Sequence, residues 1–222
     1  MKKIKLLILA LGLLTPVSLY AQDDTAAWVF LSVKKALNPK WSLLMKSEIH
    51  TKDNTSDMDY YYILGGGGYK INSWLRTDCG ILYVDYKNPG SEAYKSFWRP
   101  MYRSYVTFTF SKQIGPIRGS LREYWGYCWM PEATTEEGVY KKGSAFHEWR
   151  NRLRLDYSTG TKFTPYIYVE DWMRKTLERM RYVGGVDYKL DKHHTLGAFY
   201  MYQDKYKALN THVLGIEYNL TL

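Results

Sequence analysis

Cysteine is scarce: the 222 residues hold two, Cys79 and Cys128, too few for a disulfide scaffold. They fall in segments that read as strands with another strand between them, so no bridge is expected. Long apolar runs are missing too. Beyond the N-terminal segment the longest stretch free of Asp, Glu, Lys and Arg is His193 to Gln203, eleven residues, whereas a helix crossing a bilayer needs about 18 or more. Chemical motifs are equally thin. No G-x-S-x-G nucleophile elbow occurs. The run Gly65 to Gly68 sits inside a strand pattern with no helix behind it, which fits a bulge, strong curvature or room for an inward Arg, and not a phosphate loop. His193 and His194 are adjacent and point to opposite faces of a strand, and no other His or Cys completes a set, so neither a metal site nor a cofactor is expected.

What the chain does have is aromatic side chains, 17% of its residues, with 22 Tyr and 8 Trp, although its mean hydropathy is negative. It opens with a basic MKKIK, an apolar LLILALGLL and TPVSLYA before Gln22, which reads as an export leader cleaved after Ala21. Residues 22–222 then form one domain. The formal charge is +9, and taking Lys2, Lys3 and Lys5 away with the leader leaves about +6. For an exported chain this modest excess points to lipid phosphate, acidic glycans or small anions and away from nucleic acid.

Eleven period-two segments follow, near 27–36, 40–51, 59–71, 74–87, 98–112, 116–129, 145–158, 162–173, 178–190, 194–204 and 210–222. Their connections alternate between short ones (LNPK, INSW, KQIGP, STGT, DKHH) and longer, more polar ones such as KNPGSEAYKS and MPEATTEEGVYKKGS. Tight turns at one end and elaborated loops at the other are the pattern of outer-membrane barrels. The faces agree. In the last segment His212, Leu214, Ile216, Tyr218, Leu220 and Leu222 oppose Thr211, Val213, Gly215, Glu217, Asn219 and Thr221. In lipid, such apolar faces turn outward and the charges turn into a wet lumen. Trp28, Trp41, Tyr60 to Tyr62, Trp74, Trp98, Trp125, Trp129, Trp149 and Trp172 lie at strand ends, where an interfacial girdle would place them. The expected fold is therefore all-β, a single antiparallel up-and-down transmembrane barrel of 10 to 12 strands. An even number would return both termini to one side, and eleven segments do not.

The segment HEWRNRLRLDY concentrates charge. Glu148, Arg150, Arg152, Arg154 and Asp156 share one face, and Trp149, Leu153, Leu155 and Tyr157 share the other with Asn151. Turning three arginines to lipid would cost roughly 2 to 4 kcal/mol each at the midplane, so the charged face is expected inside. Arg103, Glu170, Arg179 and Arg181 are its expected companions, with Arg99, Arg118 and Arg122 as further neighbours. Arg122 and Glu123 are adjacent, so one of the two must face outward. Two readings of this interior remain open: an arginine track for small anionic solutes, or ion pairs with Glu148, Asp156, Glu170 and Asp187 that fill a narrow barrel. A Ser and His pair, Ser144 and His147, is the remaining trace of an enzyme, with His147 on the outward face. No catalytic centre is expected.

The opening VFLSVKKALNPKWSLLMKSEIH after Trp28, the strand RNRLRLDY, the segments YIYVEDWMRK and RMRYVGGVDYKLDKHHTLGAFYMYQ and the final hairpin together resemble the bacterial family called domain of unknown function 2490. The similarity covers most of the mature chain. It implies an outer-membrane-type barrel of Gram-negative cells and brings no activity with it. The expected partners are outer-membrane lipid, the barrel-assembly machinery during insertion, whose C-terminal signal Gly215, Tyr218, Leu220 and Leu222 resemble, and small anionic solutes. The alternatives are an outer-membrane lipid-modifying enzyme and a secreted soluble barrel holding an apolar ligand.

Overall fold

The computed structural model describes residues 23–206 and 208–222; the leader expected over residues 1–21 lies outside them. In chain order the strands are β1 (Asp24–Ala36), β2 (Trp41–Lys52), β3 (Asp57–Lys70), β4 (Leu75–Asn88), β5 (Phe97–Ile114), β6 (Ile117–Met130), β7 (Ala133–Thr134), β8 (Tyr140–Lys141), β9 (Ser144–Tyr157), β10 (Phe163–Met173), β11 (Leu177–Lys189), β12 (His194–Lys205) and β13 (Thr211–Thr221). Eleven of them close a barrel in the order β1-β13-β12-β11-β10-β9-β6-β5-β4-β3-β2, and β7 and β8 make a small ribbon in the loop between β6 and β9. Each segment expected from period two coincides with a wall strand. The β7–β8 ribbon is an addition, too short to show any periodicity.

The odd count closes because one pair differs from the rest. Neighbouring strands run antiparallel around the wall except β1 and β13, which run parallel from Asp24 beside Thr211 to Lys34 beside Thr221. Hydrogen bonds from Ala36 N to Leu222 O and from Leu222 N to Lys34 O extend this seam. Asp24 consequently lies at the long-loop end and Leu222 at the short-turn end.

One device shapes three of the short turns. Asn38 Oδ1 accepts from the amides of Lys40 and Trp41, Asn72 Oδ1 from those of Trp74 and Leu75, and Asp191 Oδ1 from those of His193 and His194, all at 2.7–2.9 Å. Each side chain replaces a backbone acceptor and lets the chain reverse in four residues. The backbone amides donated to Asp191 hold its carboxyl below the usual range.

Apolar side chains cover the outer wall: Leu153, Leu214, Ile216 and Ile81 are exposed, while Val213, one residue from Leu214, is fully buried. A soluble barrel places these two sets the other way round. Of the adjacent pair Arg122 and Glu123, Arg122 turns inward to Glu170 and Glu123 stands exposed on the wall between Phe108 and Asn151.

Two inward glycines are required by their neighbours. At Gly68 the space a Cβ would need is filled by the Arg76 guanidinium, which is paired with Asp78. At Gly215 it is filled by the Phe199 ring. Gly215→Ala should therefore cost about 1 to 3 kcal/mol through overpacking, read as a lower denaturant midpoint in detergent. Gly184, with open space around it, should tolerate the same change.

Candidate functional site

The even positions of β9 face inward because its odd positions, Trp149, Leu153 and Leu155, face out. Several contacts join strands that are not neighbours in the wall, so they cross the interior. Arg181 on β11 lies over Trp28 on β1 at 5.2 Å, and Arg103 on β5 faces Trp172 on β10 at 5.8 Å.

Two carboxylates organise this interior. Glu170, 0% exposed, takes Arg122 at 2.7 Å, Arg152 at 2.8 Å and Arg181 at 3.1 Å. Glu148, also 0% exposed, takes Arg150 at 2.6 Å and Arg103 at 3.2 Å. Nearer the short turns, Arg154 bridges Asp156 at 2.7 Å and Asp187 at 3.1 Å. Arg179 stacks on Trp172 with its guanidinium carbon 4.8 Å from the ring centre. These pairs meet the requirement that a charge removed from water be compensated.

Aromatic rings complete a layer across the barrel. Trp172 carries Arg150 at 3.4 Å and Arg181 at 4.8 Å. On the far side His50 sits between Trp28 and Tyr60, with ring centres 3.8 and 4.0 Å away. Glu48 accepts from the Tyr62 hydroxyl and pairs with His50 Nε2. Flat guanidinium and imidazole groups pack on ring faces, so this layer is dense as well as charged. Trp28, Tyr60, Tyr62 and Trp172 thus belong to the interior, and the expected girdle loses them. Trp41, Trp74, Trp98, Trp125, Trp129 and Trp149 do face outward. The physical reason is parity: a position near a strand end sets depth in the membrane, while odd or even position sets the face.

Residues 25–212 match the family described as "Protein of unknown function (DUF2490)". The chain belongs to that family. No curated protein matches it. Among solved structures a porin is similar at 15% identity and a TM-score of 0.40, covering 82% of this chain and 58% of the porin. The β-domain of the Bordetella autotransporter BrkA is similar at 14% identity and a TM-score of 0.48, covering 80% and 78%. This chain therefore spans under two thirds of the porin's length. The family description assigns no activity, so chemistry rests on this member's own residues.

Ser144 and His147 do not form a pair. Three residues apart on β9, they leave opposite faces, and His147 lies outside against Trp125, Tyr127 and Trp149 at 5.2–6.0 Å. Among the described residues no group of three His, Cys, Asp or Glu side chains could hold a metal ion. Cys79 is exposed and Cys128 buried, both as free thiols, and Arg103 Nε donates to the Cys128 sulfur at 3.2 Å. The Glu48, His50 and Tyr62 group was not expected from sequence, although all three share the even positions of their strands and parity alone could have found them.

Proposed function

We propose that this family member is a non-enzymatic outer-membrane barrel, exported through the periplasm after removal of residues 1–21, whose arginine-rich interior holds small anions without forming an open pore. The observation that carries this reading is the complete burial of Glu148 and Glu170, each tied to arginines from other strands. Side chains locked in this way occupy the width through which a solute would pass. Water reaches the layer only partly: the side chains of Arg122, Arg152 and Arg154 keep 23–28% exposure, against 5% for Arg103. The outward apolar wall favours lipid over the soluble-barrel alternative, and the opposed faces of Ser144 and His147 disfavour the lipid-modifying enzyme. Purified protein reconstituted in a planar bilayer should give no steady conductance above the lipid baseline. A sustained, ion-selective current would overturn the closed-barrel reading and restore the anion-channel one.

A further inference from the structure

Three inward side chains lie side by side at the long-loop end of the interior. Trp172 on β10 pairs in register with Arg179 on β11, and Arg179 with Lys205 on β12. Two of the three hold a buried donor without a partner. Trp172 is 6% exposed and its Nε1 is buried without a hydrogen-bond partner; Arg179 Nε is buried in the same condition. Among the described residues Arg179 has no carboxylate within ion-pair distance; its partner across the ladder is Lys205, another cation, and Asp59 is the carboxylate whose charge reaches both. Buried donors in folded proteins are almost always matched, so an unmatched one calls for an explanation, a bound water or ion among them.

Charge separates those two occupants. Around Trp172 stand Arg103, Arg150, Arg179 and Arg181. Glu148 serves two of them, and Glu170 serves Arg181 while shared with Arg122 and Arg152. A third carboxylate, Glu48, is taken by His50 and Tyr62. Six guanidiniums and Lys205 therefore face Glu148, Glu170 and, at the long-loop end, Asp59, which leaves cations in excess. A water molecule would satisfy a donor such as Trp172 Nε1 but would leave this excess uncompensated, whereas an anion does both.

We infer that Trp172, Arg179 and Lys205 form a binding site for a small oxyanion of the inorganic phosphate or carboxylate type, open toward the long loops. An oxyanion suits it better than a halide because a guanidinium fork donates two parallel bonds to two oxygens, with the indole N–H and the ammonium meeting the others. This rests on the reading of the interior as anion-holding and adds the place and the ligand class.

The test is thermal unfolding of the full-length protein in detergent, with inorganic phosphate compared with chloride at equal ionic strength. Phosphate at about one hundred times its Kd should raise the midpoint by roughly 5 to 10 °C. Arg179→Met should abolish that shift and leave the phosphate-free midpoint unchanged or higher, because it removes one cation from an interior with an excess of them. Lys205→Met, nearer the rim, should reduce the shift and keeps the test usable if the first variant does not fold. No shift beyond chloride in the wild type would overturn the site, as would a full shift retained in Arg179→Met. So would an Arg179→Met midpoint well below wild type without phosphate, since that makes Arg179 structural. A closed barrel without the phosphate response sinks this site alone; a conducting barrel that still responds sinks the closed-barrel reading alone.

Discussion

Glu170→Ala should destabilise the barrel by about 3 to 5 kcal/mol, the range measured when one partner of a buried ion pair is removed. The substitution strands three guanidiniums at once, Arg122, Arg152 and Arg181, around a carboxylate that is wholly buried. Arg181 keeps its bond to Gln203 at 2.9 Å, but among the described residues Arg122 and Arg152 have no second carboxylate within ion-pair distance. Such a loss is a large fraction of the stability of a whole domain. The measurement is a denaturant midpoint in detergent, with gel migration with and without heating as the check that barrel forms. A loss below about 1 kcal/mol would mean that water already compensates the arginines, and the locked interior would have to be abandoned.

The second large effect lies on the other side of the wall. Leu153→Arg should cost roughly 2 to 4 kcal/mol in a bilayer. Leu153 is 58% exposed in the middle of β9, flanked by Leu121 and Val169, so the new charge would face hydrocarbon. On a soluble barrel the same exposed change would stay within about 0.5 kcal/mol. Unfolding in lipid vesicles distinguishes the two, and a near-zero cost there would return the chain to the soluble-barrel alternative. The comparison is sharp because Arg152, one residue away, points inward to Glu170. Neighbouring positions of one strand thus carry opposite rules for charge.

Those opposite rules explain what could be read in the sequence. In HEWRNRLRLDY both faces are visible as alternating letters, because a residue's face depends only on parity. The short turns were legible for a similar reason: Asn38, Asn72 and Asp191 act within four residues of themselves. What could not be read depends on register between strands. That Glu170 gathers Arg122, Arg152 and Arg181 follows from the pairing that sets these four residues in one row across β6, β9, β10 and β11, and no local pattern encodes that pairing. Trp28 and Trp172 misled because aromatic residues suit both a membrane interface and a guanidinium stack. The Arg122 and Glu123 pair was ambiguous in letters and was decided by the register of β6 against β9.

The parallel seam between β1 and β13 has a consequence for assembly. Antiparallel neighbours can enter a membrane as hairpins, each crossing and returning, so that both of its ends stay on the side of entry. Eleven strands cannot all be grouped in this way: five hairpins leave one strand over. That unpaired strand must make a single one-way crossing, carrying one end of the wall to the far side without a companion. The ring is then sealed by joining the two wall segments most distant in the chain, pointing the same way, through the slanted hydrogen bonds of a parallel pair.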